Sequence, residues 1–186
     1  MRNCCSRSIQ RNFRTKAKEL DSENSLQHRG QEDPPRLAPP KKQMRLERGS
    51  LRNDMGLHSV DGDLNFAVFM RINETFRENF SIGLTHSPSD EPGELCLLRF
   101  NGPHGEFIGA PDTPHFVYHI RRATPESILA GLRPERGGKA TSLYASYDQA
   151  LYHFLNTVNV QNMQEFFADL IQLDLAFNQE QNRELP

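Results

Sequence analysis

Between about residues 64 and 122, short apolar–polar alternations recur between strong turn signals, and this run limits the available folds more than any other feature. Phe66, Val68, Met70 and Ile72 alternate with Ala67, Phe69 and Arg71. Phe80, Ile82 and Leu84 alternate with Ser81, Gly83 and Thr85. The segment HSPSDEPGE (86–94) breaks the chain with two prolines, a glycine and acids. A third strand is expected over ELCLLRFN (94–101), a long loop over 102–114, and a fourth strand over HFVYHIRR (115–122). Period two sends successive side chains to opposite faces of a strand. Short links between consecutive strands favour antiparallel pairing.

After residue 122 the period changes. Thr124-Pro125-Glu126 reads as a helix start: a hydroxyl N-cap, proline at the first helical position and an acid in the first turn. Ile128, Leu129 and Leu132 then share a face, and Gly131 marks the end. Ser146 and Gln149 form a capping box before Tyr147, Ala150, Leu151, Phe154, Leu155 and Val158, which fall at helical spacing. Asn162 and Glu165 offer a second such box ahead of Met163, Phe166, Phe167 and Leu170. Alternation over 171–177 reads as a last extended segment. The expected fold is α+β, an antiparallel meander of four or five strands with helices packed on one face. Twelve Phe and no Trp indicate a sheet packed on helices through phenylalanine.

Charge divides the chain. Residues 1–50 hold 12 Lys or Arg and 6 Asp or Glu, whereas residues 51–186 hold 10 and 18. The first part also carries the breaker-rich QEDPPRLAPPKKQ (31–43) and few large apolar residues. Such a segment buries too little surface to offset its ordering entropy. Residues 1–60 are therefore expected to be a disordered basic tail, 61–178 a single domain and 179–186 a frayed end. Met44 and Met55 offer alternative starts ahead of the compact part. An acidic body is a poor general binder of nucleic acid.

The three cysteines, Cys4, Cys5 and Cys96, form no disulfide framework, which points to a reducing compartment. MRNCCSRSIQRNF lacks the apolar core of a secretory signal, and no stretch approaches a membrane span. A cytoplasmic protein without membrane attachment is expected.

One group of residues carries chemistry. Arg99, Asn101, His104, His115, His119 and Arg121 are the dense cluster of hydrogen-bonding and proton-transferring side chains. Strand parity places His115, Val117, His119 and Arg121 on one face, the open one, and Phe116, Tyr118 and Ile120 on the core side. Arg99 and Asn101 share a face in the third strand, and His104 hangs over them from the loop. Imidazoles titrate near neutrality, so two of them can act as base and acid around a scissile phosphodiester. Arginines stabilise charge that develops on the phosphate. That set is the minimum for a metal-independent ribonuclease: His104, His115 and His119 are its catalytic candidates, Arg99, Asn101 and Arg121 its binding residues, and Glu106 an alternative base. The bland reading is an ordinary solvated sheet face. A metal reading would use the three histidines, but no Asp, Glu or Cys completes it at a convincing spacing, so neither metal nor cofactor is expected.

RFNGPHGEF, HFVYHIRRAT and YASYDQALYHFLNTVN together resemble small prokaryotic proteins of the TumE type, short α+β proteins associated with toxin–antitoxin loci. Arg99-Phe100-Asn101 matches their arginine-aromatic-Asp/Asn turn, His115 and His119 their His-rich strand, and Ser146 to Val158 their aromatic and acidic helix. The resemblance covers about residues 95–158. It implies a cognate antitoxin or toxin protein, or RNA, as the partner. A second resemblance runs through FVYHIRRATPESILAGL and TSLYASYDQALYHF to the core of ADP-ribosyltransferases. It implies His119 or Arg121 gripping NAD and Tyr144 stacking on nicotinamide. The late strand glutamate of those enzymes has no counterpart, because 171–177 carries Asp174 instead.

Overall fold

The structure is a computed structural model that describes residues 35–60, 65–87, 94–104, 114–130 and 138–173. Its centre is an antiparallel sheet whose order is β1-β3-β4-β5-β6-β7-β8, with β2 also paired to β3. The strands are β1 (Arg36–Leu37), β2 (Arg45–Glu47), β3 (Ser50–Ser59), β4 (Asn65–Asn73), β5 (Phe80–His86), β6 (Leu95–Asn101), β7 (His119–Arg122) and β8 (Gly138–Ala140). The helices are α1 (Pro125–Leu129), α2 (Tyr147–Thr157) and α3 (Met163–Phe166), with a further helical stretch, 168–173. No described helix is long and apolar enough to cross a membrane.

The register turns the sequence alternation into two faces. Met70 pairs with Ile82, Ile82 with Phe100 and Phe100 with Ile120, so these side chains share the face that meets the helices. Helix α2 lies against β5 and β6. Its Leu151 and Phe154 are buried, and the Phe154 ring meets Phe100 edge-on at 5.5 Å between centroids. Tyr144 stacks on the other side of the cluster, 5.3 Å from Phe100. Ser146 caps α2 by accepting from the Gln149 amide, as the capping box predicts, but Gln149 Oε1 accepts from the amide of Ala145, one residue before the N-cap, rather than from that of Ser146.

The expected tail needs correction. Residues 36–59 supply three strands of the sheet, and β3 pairs with β4 over nine residue pairs. The domain therefore begins before Arg36, not at residue 61. On β3 only Leu51, Met55 and Leu57 bring large apolar side chains to the core face, while Arg52, Asp54 and His58 take the other. A strand so polar on one face reads as solvated chain until its partner is known. The β2–β3 hairpin turns on Arg48 and Gly49, both at positive φ (49° and 72°), the geometry of a two-residue type I′ turn.

The segment 35–38 is fastened to the far end of the fold. The backbone of Arg36 exchanges hydrogen bonds with Asn159 and Gln161. Its buried guanidinium donates to the Val158 carbonyl at 2.8 Å and lies over the Phe66 ring. Asn162 does not cap α3 as predicted. Its side chain instead pairs with both backbone groups of Ala38, at 2.9 and 2.8 Å, in the manner of an added strand residue.

Three other expectations shift. Residues 114–116 form a 3-10 turn, so the fourth strand runs only over β7. A bulge at Leu84/Thr85 sets Thr85 opposite Cys96, so the alternation of residues 98–101 does not extend back to Cys96. Residues 171–173 are helical, not extended, and residues 174–186 lie outside the described residues, as do 1–34.

Two outcomes follow for folding. Phe154→Ala should lower the denaturation free energy by about 3–5 kcal/mol, the usual range for a buried phenylalanine, read from chemical denaturation midpoints. A chain started at Met55 loses the Arg36 clamp, β1, β2 and half of β3. It should show no cooperative unfolding transition in calorimetry, whereas removal of residues 1–34 should leave the transition in place.

Candidate functional site

On the face away from the helices the same register builds rows of polar side chains. One row runs Arg45, Arg52, Arg71, Ser81, Asn101, His119, each opposite the next on the adjacent strand. The neighbouring row runs Asp54, Phe69, Gly83, Arg99, Arg121. These side chains share a face because residues two apart on a strand do, and directly paired residues across an antiparallel ladder do. A groove of about 570 Å³ lies over the rows, with Arg52, Arg71, Arg99, Asn101 and His104 among its lining residues.

Gly83 makes room for the Phe69 ring, which lines the groove. A Cβ at this position would stand 2.2 Å from the Phe69 ring, so the ring lies across the glycine. The Arg99 guanidinium sits 5.1 Å from the centroid of that ring. Phe69 and Arg99 thus form a cation–π pair in the middle of the polar face. Ser81 donates to Asn101 Oδ1 at 2.9 Å, which fixes the amide orientation and leaves Nδ2 as the free donor. Asn101 Nδ2 and Arg52 Nε are buried donors with no partner among the described residues.

The three histidines close one end of this face. His119 begins β7, His115 sits in the 3-10 turn, and His104 follows β6. The ring centroids are 4.9 Å apart for His104–His115, 5.0 Å for His104–His119 and 5.8 Å for His115–His119. Gly102 makes this corner tight: its amide donates to Phe80, and a Cβ there would collide with the Glu78 carbonyl. His104 Nδ1 lies 2.9 Å from the Gly102 carbonyl, and His119 Nδ1 lies 2.9 Å from the Val117 carbonyl. A carbonyl only accepts, so Nδ1 carries the proton on both rings and each Nε2 keeps its lone pair. His115 Nδ1 donates to His104 Nε2 at 3.0 Å. His119 Nε2 is buried with no partner among the described residues. One amino group of Arg121 stands 3.5 Å from both ring nitrogens of His115.

Burial pushes the His119 imidazole down to about 4; the Val117 carbonyl opposes the shift, and His104, Arg121 and His115 add to it. His115 is also held below the usual range by burial and by the His104 and Arg121 charges.

All six residues singled out in the sequence are brought together. Parity is right for the stretch in β7: His119 and Arg121 face away from the helices, and Ile120 faces them. It does not reach His115, which arrives by the 3-10 turn, and Phe116 is exposed. His119 is not an open surface histidine. It is fully buried on the polar face, in ring contact with His104 and His115. Sequence reasoning missed Arg45, Arg52, Arg71 and Phe69. Arg71 and Phe69 were legible as the second parity of β4, but Arg45 and Arg52 lay in what read as tail. Tyr144 is removed as a ligand-stacking residue: it is buried against Phe100, and its hydroxyl reaches the carbonyls of Asn101 and His119 at 3.2 and 2.9 Å.

His119 gives the fold a pH dependence of defined sign. The unfolded chain takes up a proton on this imidazole near its ordinary value of 6.5, whereas the folded chain does so only near 4. The associated stability is complete above pH 6.5, declines as pH falls from 6.5 to 4 and levels off below, by up to about 3 kcal/mol. Urea midpoints across that range should fall on acidification, and His119→Asn should flatten this part of the profile. No family model, curated protein or solved structure matches this chain, so the reading of the site rests on its geometry.

Proposed function

We propose that the open face of the sheet binds a single-stranded RNA segment, with arginines holding phosphates and the Phe69 ring offering a stacking surface for a base. The observation that carries this reading is the arrangement of Arg52, Arg71 and Arg99 around Phe69 in one groove. Single-strand binders combine a cationic track with aromatic faces, because every base has a stacking face and every nucleotide a phosphate. The acidic body makes the concentration of arginine on this face more pointed. The likeness of residues 95–158 to the TumE type supplies the setting, a toxin–antitoxin pair in which a cognate protein controls access to this face.

Cleavage by two opposed imidazoles is not part of this reading. His104 and His115 hydrogen-bond each other at 3.0 Å, which leaves no space for a phosphodiester between them. NAD binding is not retained either, because Tyr144 is sealed in the core.

The test is fluorescence anisotropy with a short labelled RNA oligonucleotide. Arg71→Ala and Arg99→Ala should each weaken binding about 10–100-fold, equivalent to roughly 1.5–3 kcal/mol for a charged hydrogen bond. Three phosphate contacts should give a salt slope of about −2 in log K against log[salt]. Gly83→Ala should displace the Phe69 ring and weaken binding with the sheet intact by circular dichroism. RNA binding that ignores these substitutions, or no RNA binding at all, would sink the reading. Retention of an acidic protein instead would assign the face to a protein partner.

A further inference from the structure

The histidine cluster has a property that the arginine face does not explain. His104, His115 and His119 each present a ring nitrogen within 4.8 Å of the other two. They come from three separate places in the chain: the segment that follows β6, the 3-10 turn and the start of β7. On two of the rings the second nitrogen is already committed to a carbonyl of the same loop, Gly102 for His104 and Val117 for His119. Metal-bound histidines are oriented in this way: an outer hydrogen bond at one nitrogen fixes the tautomer and aims the lone pair of the other. A buried imidazole acceptor without a donor is costly, and His119 Nε2 is such an atom among the described residues. A partner that accepts lone pairs from several imidazoles at once is a metal ion.

We propose that His104, His115 and His119 form a three-histidine site for a divalent transition ion of the zinc(II) class. Nitrogen ligands without carboxylates suit this class better than magnesium or calcium, which prefer oxygen. Three protein ligands leave a fourth position open. His104 also lines the groove, so that position lies toward the arginine face. Tetrahedral coordination at the usual metal–nitrogen distance of about 2.0–2.1 Å puts ligand nitrogens roughly 3.4 Å apart. The site therefore contracts on binding, and His115 gives up its hydrogen bond to His104 to turn a lone pair inward. Arg121 opposes the cation by standing 3.5 Å from His115, and an anionic ligand at the fourth position would offset that repulsion. The sequence set a metal aside because the three histidines lack a fourth protein ligand. A site with an open position does not require one.

The metal site rests on the histidines alone and not on RNA binding, so it is tested without RNA. Full-length protein carrying Cys4→Ser and Cys5→Ser, which removes the adjacent thiol pair and leaves Cys96 as the one remaining thiol, is stripped with chelator and titrated with Co²⁺ and Zn²⁺. The expected result is one ion per chain, the intense visible absorption of tetrahedral Co²⁺ displaced by Zn²⁺, and a higher melting temperature with Zn²⁺. His104→Ala and His115→Ala, both at partly exposed positions, should each weaken binding by more than the roughly 10–100-fold that loss of an outer-shell partner brings. Substitution of His58 or His153 should leave affinity and spectrum unchanged. Absence of stoichiometric binding would overturn the proposal, as would tetrahedral Co²⁺ absorption that survives in the folded His104→Ala/His115→Ala double variant.

Discussion

Strand parity in one antiparallel ladder governs almost everything else in this protein. From β3 to β7 the paired registers carry one parity across the sheet, interrupted only by the bulge at Leu84/Thr85, so the faces of residues 51–58, 66–72, 80–84, 98–101 and 119–122 are fixed together. A slip of one residue would send every core side chain to the polar face. The two faces here differ as far as composition allows. One carries Val68, Ile82 and Phe100 under α2, and the other carries Arg52, Arg71, Arg99 and His119. Burying the second set under helices would cost several kcal/mol for each unpartnered group. The apolar contrast therefore holds the register, and the register assembles the site.

The site and the core are also tied together chemically. The Tyr144 hydroxyl is buried and reaches the backbone carbonyls of Asn101 and His119, the cross-strand pair at the histidine end of the polar face. Its ring packs on Phe100, which in turn meets Phe154 of α2. The packing of α2 thus bears on the strand ends from which the histidines project. Gly102 and Gly83 contribute by what they lack. A Cβ at the first would collide with the Glu78 backbone, and a Cβ at the second would lift Phe69 from the sheet.

The distribution of charge is as informative as its total. The chain is acidic from residue 51 onward, yet Arg52, Arg71, Arg99 and Arg121 collect on one face of the sheet. Like charges so close are tolerated when each has a local partner or solvent, and the structure shows several such arrangements. Arg71 donates to Ser50 Oγ, Arg99 lies on Phe69, and Arg121 lies against His115. A ligand carrying negative charge would relieve their mutual repulsion.

The sequence by itself determined the strands β4, β5 and β6, the helix α2 with its Ser146 cap, and the split of β7 into a helix-facing Ile120 and an oppositely facing His119 and Arg121. These are local properties, since periodicity and capping act over a few residues and need no distant partner. It also picked out all six residues of the histidine end of the site, because polar residues interrupting strand-like runs are visible one at a time. Only the tertiary structure decided the rest. Segment 36–59 joined the sheet because β4 offers a paired edge and the 158–162 turn offers hydrogen bonds to Arg36 and Ala38, neither of which a local pattern encodes. The convergence of His104 and His115 on His119 was likewise decided by chain reversal between β6 and β7, where Gly102 and Val117 carbonyls aim the rings. Spacing along the chain cannot specify a convergence of this kind, because it depends on where the backbone turns rather than on how many residues lie between.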